Sequence, residues 1–207
     1  MQIPRKKPST ETQLKKSPEL MEDGWTFVTI DQFTKYVETV RRRGWHPIGS
    51  NPELEVSSSR KKVTVLGAVT HDGDSLYFWT EETLTADHGI RVLQALVEEF
   101  GEKLVVLLDQ APYFYAKDLW EFVSGKRSIE HLDDTSIKCV SGSSLQAWYY
   151  PPHLPELNPL EHCWNQLKGW FKYRLIKKLP GLKQIISTAL SSINEPDIID
   201  YISPNEE

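Results

Sequence analysis

Three acids in this 207-residue chain have the neighbours and spacing that suit metal chemistry. Asp31 directly follows the apolar run FVTI, and Asp109 directly follows LVVLL. Each then falls at or near the end of a strand of the kind found at the centre of a sheet. If those strands are parallel neighbours, the two carboxylates come together. Like charges raise each other's pKa, and desolvation adds to the cost. A divalent cation removes that penalty: Mg2+ prefers oxygen ligands and is commonly held by one or two carboxylates together with substrate phosphates. A third acid nearby allows two ions, about 4 Å apart, to clamp the attacking and leaving oxygens of a phosphodiester. An Asp that closes a strand is also ordinary turn chemistry, and Asp109-Gln110-Ala111-Pro112 can be read as only that.

Glu161, in ELNPLEHCW, has two readings. Asn158, Pro159 and Glu161 fit the N-cap, first and third positions of a helix, so Glu161 can reach back to the Asn158 backbone N–H as a variant capping box. It can also supply the third carboxylate of a metal site. On local physics alone, capping is the stronger of the two.

The elements that must position these acids follow from the hydrophobic pattern. Residues 1–23 are polar, contain three prolines and show no apolar periodicity, so they are expected to be a tail or linker. WTFVTI and KYVETV are β-type runs close enough to pair. KVTVLGAVT and SLYFWT flank His71-Asp72-Gly73-Asp74, whose Asp-Gly pair signals a hairpin. From Asp87, apolar residues recur three or four apart to Phe100, with Asp87 as N-cap and Gly101 as stop. KLVVLLD, apolar on both faces, suits a central parallel strand covered by helices. A helix is expected around Ala116 to Val123, then a polar insertion around 124–144, then a short strand in LQAWYYPP. The last elements are a helix with Leu160, Trp164, Leu167, Phe171 and Leu175 on one stripe, ending before Pro180, and an amphipathic helix in LKQIISTALSSI. The order predicts an α/β domain over 24–207: a mixed sheet of three antiparallel strands followed by parallel strands, with helices on its faces. In such sheets ligand sites lie at the C-terminal ends of the parallel strands.

Composition narrows the setting. No apolar run reaches the roughly 18 residues of a membrane span, and the polar start is unlike a signal peptide. Cys139 and Cys163 form no CxxC pair. A cytoplasmic protein is the expectation. The net charge of -5 is unlike a dedicated nucleic-acid binder, although the runs Arg41-Arg42-Arg43, Arg60-Lys61-Lys62 and Lys177-Lys178 with Lys183 can line a basic groove or simply be solvated surface.

At these residues the chain resembles a known family. PELNPLEHCWNQLK is similar to the signature around the last catalytic acid of DDE transposases of the mariner superfamily, in its prokaryotic insertion-sequence branch. VVLLDQAPYF resembles the segment carrying the second acid, and FVTIDQ the strand carrying the first. RRGWHPIGSNPEL followed by KKVTVLGAVTHDG resembles the family's Trp-Pro-Gly stretch and the strand after it. The resemblance runs from about Trp25 to the last helix. It implies a ribonuclease-H-like fold in which Asp31, Asp109 and Glu161 are the catalytic, metal-binding triad, with two Mg2+ or Mn2+ ions. It also implies that Glu161 can begin a helix and still face the metals, an acid being favourable at a helix N-terminus. The implied activity is metal-dependent cleavage of double-stranded DNA at transposon ends, followed by joining to target DNA. Gln32, Gln110 and Phe114 depart from the residues common at their positions, and the interval from Asp109 to Glu161 is longer than usual. Family members carry helix-turn-helix modules before the catalytic domain, whereas here only the polar tail precedes Trp25. The implied partners are therefore DNA and either a second copy of the chain, as a homodimer, or a separate chain bearing such a module.

Two other readings stay open: a nuclease of the same fold without strand transfer, and a catalytically inactive or partner-dependent fragment that acts as a regulator. His153 and His162 are read as phosphate contacts or plain surface, and Cys163, Trp148, Trp164 and Trp170 as packing.

Overall fold

The computed structural model describes residues 17–37, 47–50, 61–132, 137–151, 158–172, 174, 176 and 178–198. Arg41 to Arg43, Arg60, His153, Leu175 and Lys177 lie outside the described residues. So does RRGW at the start of the Trp-Pro-Gly stretch.

A seven-stranded mixed sheet forms the centre. Its strands are β1 (Thr26–Tyr36), β2 (Lys62–Thr70), β3 (Ser75–Thr80), β4 (Leu104–Leu108), β5 (Glu130–His131), β6 (Lys138–Ser141) and β7 (Leu145–Tyr149), in the spatial order β3-β2-β1-β4-β7-β6-β5. The three central strands β1, β4 and β7 are parallel, and β2 and β3 run antiparallel on one flank. The mixed sheet expected from the sequence is therefore present. β4 is buried along its whole length, as its uniformly apolar sequence requires. The β2–β3 hairpin turns at Gly73, whose φ of 90° is open to glycine at little cost.

Helices cover both faces. On one face lie α2 (Ala86–Phe100) and α3 (Lys117–Ser124), packed on Val28, Ile30, Leu66, Val106 and Leu108. On the other lie α4 (Leu160–Phe171) and α5 (Leu179–Leu190), packed on Phe27, Phe33, Val65, Val105 and Trp148. Among the described residues, no helix is long and apolar enough to cross a membrane.

Several local expectations are corrected. Of KYVETV, expected to pair with WTFVTI, Lys35 and Tyr36 instead continue β1, and residues 38–40 lie outside the described residues. Asp31 consequently sits inside β1, opposite Gly67, because β2 pairs with β1 as far as Tyr36. The N-cap of α2 is Thr85, whose backbone N–H donates to His88 Nδ1 at 3.3 Å; Asp87 lies in the first turn, where an acid favours the helix dipole. α4 ends before Pro180 as expected but stops already at Phe171, and Pro180 belongs to the next helix. It opens α5, where its missing N–H costs nothing. Residues 17–22, at the end of the stretch read as a tail, form a short helix α1 (Ser17–Glu22), and its Leu20 and Met21 lean on the core. The polar stretch 124–144 supplies β5 and β6, which extend the sheet beyond β7.

Candidate active site

β1 and β4 run in parallel register with Thr29 opposite Leu107. Asp31 and Asp109 each lie two residues beyond that pair, so the register brings them to the same level of the sheet. β4 ends at Leu108, while β1 continues along β2. The two acids thus meet where the central parallel pairing stops, at the C-terminal edge of β4.

Each carboxylate has an oxygen fixed by the fold. The Trp164 indole N–H donates to Asp31 Oδ2 at 2.6 Å, and the Ala111 backbone N–H donates to Asp109 Oδ1 at 3.0 Å, closing the turn after β4. Gln110 Nε2 donates to the Tyr150 carbonyl at 3.0 Å, and the Tyr150 hydroxyl bonds Thr29 Oγ1 at 3.1 Å, so β4, β7 and β1 are tied together beside the acids.

Trp164 reaches Asp31 because β2 leaves room for it. A Cβ on Gly67 would stand 2.8 Å from the indole Cη2 and 3.0 Å from Tyr77 Cε1. The same indole stacks on Phe33, centroids 5.8 Å apart, and Phe33 stacks on Phe171. Gly67→Ala is therefore expected to displace a buried ring and cost about 1–3 kcal/mol. Lowering of the thermal midpoint checks this, and an unchanged midpoint would show that the indole is not confined by β2.

The electrostatics follow from burial. Asp31 is pushed up from 3.8 to about 6, chiefly by burial and further by Asp109. The Trp164 indole, the Gln32 N–H and the Asn158 side chain act against this. Asp109 is also raised, by burial, against the pull of the Ala111 N–H. Two desolvated carboxylates at one sheet edge form the oxygen donor set that Mg2+ or Mn2+ accepts.

Glu161 lies in the first turn of α4, one turn before Trp164, but its carboxylate does not join the pair. Glu161 Oε1 accepts from Lys168 Nζ at 2.7 Å, with the Glu161 and Lys168 side chains 51% and 49% exposed. Nor does Glu161 cap the helix. The N-cap is Pro159 and not Asn158 as expected, while Asn158 Oδ1 accepts from the Leu160 N–H at 3.1 Å. Among the described residues, no three His, Cys, Asp or Glu side chains are grouped to hold a metal. The two aspartates together supply oxygen donors of the kind a divalent cation takes. The glutamate fits only if it leaves Lys168.

Cys163, Trp148 and Trp164 are buried, as expected of packing residues, and His162 is exposed. Lys183 pairs with Glu81 and lies 5.0 Å from the Trp79 ring centroid. The bond from Trp164 to Asp31 is the functional feature that sequence reasoning missed. Its trace is the Trp three residues after Glu161.

Residues 26–183 match the family described as DDE superfamily endonuclease. No curated protein matches in sequence. In fold the chain is similar to Mos1 transposase in a paired-end complex with the left transposon end. Identity is 15%, coverage is 99% of this chain and 60% of that one, and the TM-score is 0.55. A pre-cleavage Mos1 transpososome gives 13% identity, 99% and 62% coverage and a TM-score of 0.58. The catalytic domain of Mos1 mariner transposase gives 14%, 98% and 90%, and 0.52. The chain thus spans about 60% of the length of the transposase in the first of these complexes. Mos1 paired-end complexes have been crystallised with Mn and with Mg. These likenesses establish the ribonuclease-H-like fold.

Proposed function

The chain belongs to the DDE superfamily endonuclease family, and from that premise we propose that it is a metal-dependent DNA endonuclease and strand-transferase of the transposase type. Residues 24–207 would be the catalytic domain, and ELNPLEHCW supports a place in the insertion-sequence branch of the mariner superfamily. The observation that carries the proposal is the desolvated pair Asp31–Asp109 at the C-terminal edge of β4.

Asp31 and Asp109 would hold one Mg2+ or Mn2+, and Glu161 would complete a second site. Ions bound there polarise the scissile phosphodiester and supply a nucleophilic water at neutral pH. The protein's own work is positional. Trp164 and the Ala111 N–H hold Asp31 Oδ2 and Asp109 Oδ1 in place. Gln110 and Tyr150 lock the strand ends on which the acids ride. After cleavage, the freed 3′-hydroxyl would attack target DNA in the same site, so no protein nucleophile is required. Recognition of transposon ends would come from a helix-turn-helix module on a partner chain, or from the same assembly as a homodimer.

A second reading draws on the Lys168–Glu161 pair. If the third acid is drawn in only by DNA or a partner, the chain alone would be inactive and partner-dependent.

Nicking of supercoiled plasmid by the purified chain in Mg2+ or Mn2+, beside Glu161→Gln, tests both. The glutamine keeps the shape and removes the charge; because the Glu161–Lys168 pair is exposed, stability should change by no more than about 0.5 kcal/mol. Nicking by the wild type with a loss of about 100-fold or more in the variant is the expected result, on the scale of several kcal/mol for a lost metal ligand. Equal activity would remove Glu161 from catalysis. Silence in both folded proteins would favour the partner-dependent fragment.

A further inference from the structure

Tyr113 sits in the turn that Asp109 closes. The Phe114 and Tyr115 N–H groups both return to the Ala111 carbonyl, at 2.9 and 2.7 Å, and Ala111 in turn donates to Asp109 Oδ1. The turn is also held from above by α2: a Cβ on Gly89 would stand 2.7 Å from the Tyr113 carbonyl oxygen. The Tyr113 ring is 8% exposed and packs against Phe114, with centroids 4.7 Å apart. Its hydroxyl is buried and has no hydrogen-bond partner among the described residues. Yet it lies within electrostatic reach of both carboxylates, Asp109 more strongly than Asp31.

A buried hydroxyl without a partner costs stability, and phenylalanine would avoid the cost with the same ring. The orphan is also a donor set beside two groups that, when ionised, only accept. Asp109 Oδ1 is already held by the Ala111 N–H, and among the described residues the Tyr113 hydroxyl is a buried donor near that acid for which the fold shows no other task. Donors that hold the carboxylates of a metal site orient them and tune their affinity.

Resting on the metal-dependent reading above, we propose that Tyr113 is a positioning residue: its hydroxyl donates to the Asp109 carboxylate when a divalent cation draws the two aspartates together. No bond is made or broken in this step. The phenol stays protonated, since burial and both acids push its pKa upward. The hydroxyl acts through Asp109 and has no contact of its own with the DNA.

The test is Mn2+ affinity by titration calorimetry, together with melting in EDTA, for wild type, Tyr113→Phe and Asp109→Asn. For Tyr113→Phe the expected result is an EDTA midpoint equal to wild type or about 2–4 °C higher, with Mn2+ binding weakened about 10- to 100-fold. Wild-type Mn2+ affinity in Tyr113→Phe, with binding lost in Asp109→Asn, overturns the proposal and leaves the metal site intact. A midpoint in EDTA several degrees below wild type also overturns it, because the hydroxyl then has a structural partner in the free protein. No Mn2+ binding by the wild type fails the metal-dependent reading itself, and the proposal with it.

Discussion

In Asp31→Asn, metal-dependent nicking falls by about 10^3-fold or more, a loss of several kcal/mol of charge stabilisation, while the metal-free protein becomes more stable at neutral pH. The two effects have one origin. Asp31 is raised from 3.8 to about 6, so the folded protein retains a proton that the unfolded chain gives up near the ordinary carboxylate range. The contribution of Asp31 to stability is therefore most favourable below about pH 3.8, falls as pH rises toward 6, and carries its full penalty above it. The shift corresponds to about 3 kcal/mol at 1.36 per unit, discounted to about 2 kcal/mol because the group is partly solvated. For a chain of this length that is about 4–8 °C in the thermal midpoint. Asparagine keeps the size and the acceptor for the Trp164 N–H, and it cannot ionise. Melting of the two proteins in EDTA from pH 4 to 8 checks the linkage. The curves should converge at acid pH and separate above 6. A variant less stable than wild type at pH 7 would show that the ionised carboxylate is already compensated within the free protein.

Trp164→Ala should cost about 3–5 kcal/mol, the scale of deleting a buried aromatic. The ring is almost wholly buried and stacks on Phe33, so the loss empties the space between α4 and β1. Trp164→Phe separates packing from the hydrogen bond. Most of the burial survives, but Asp31 Oδ2 loses a donor that holds its pKa down. Asp31 should then titrate higher, and the acid limb of the nicking profile should move to higher pH by about one unit, the worth of a hydrogen bond to a charged group. If Trp164→Phe leaves that limb in place, the indole N–H has no hold on the acid and the residue serves packing alone.

How far this was legible depends on where the deciding interaction lies. β4 announces itself in five consecutive buried residues, and the Asp-Gly hairpin in its turn chemistry. The meeting of Asp31 with Asp109 could be read from two apolar runs ending in acids. The length of β1 could not. Asp31 and Gln32 interrupt its pattern, and it stays extended because β2 supplies partners as far as Tyr36. β6 is four residues long, too short for a period to show. The link from Trp164 to Asp31 depends on an absent side chain at Gly67, on a strand remote in sequence. The placing of Glu161 is set by Lys168, two turns along the same helix, and not by the capping that local spacing favoured.

The bond between Trp164 and Asp31 joins residues separated by 133 positions in the chain. On the ribosome, where domains form from the N-terminus onward, β1 and β2 can pair early, and Asp31 meets Asp109 only after β4 has emerged. The indole arrives later still. A chain released before α4 would hold the centre of the sheet with Asp31 lacking the donor that steadies it. Emergence of α4 thus acts as a checkpoint on the acid pair: a segment made well after both acids is the one that sets the first of them in place.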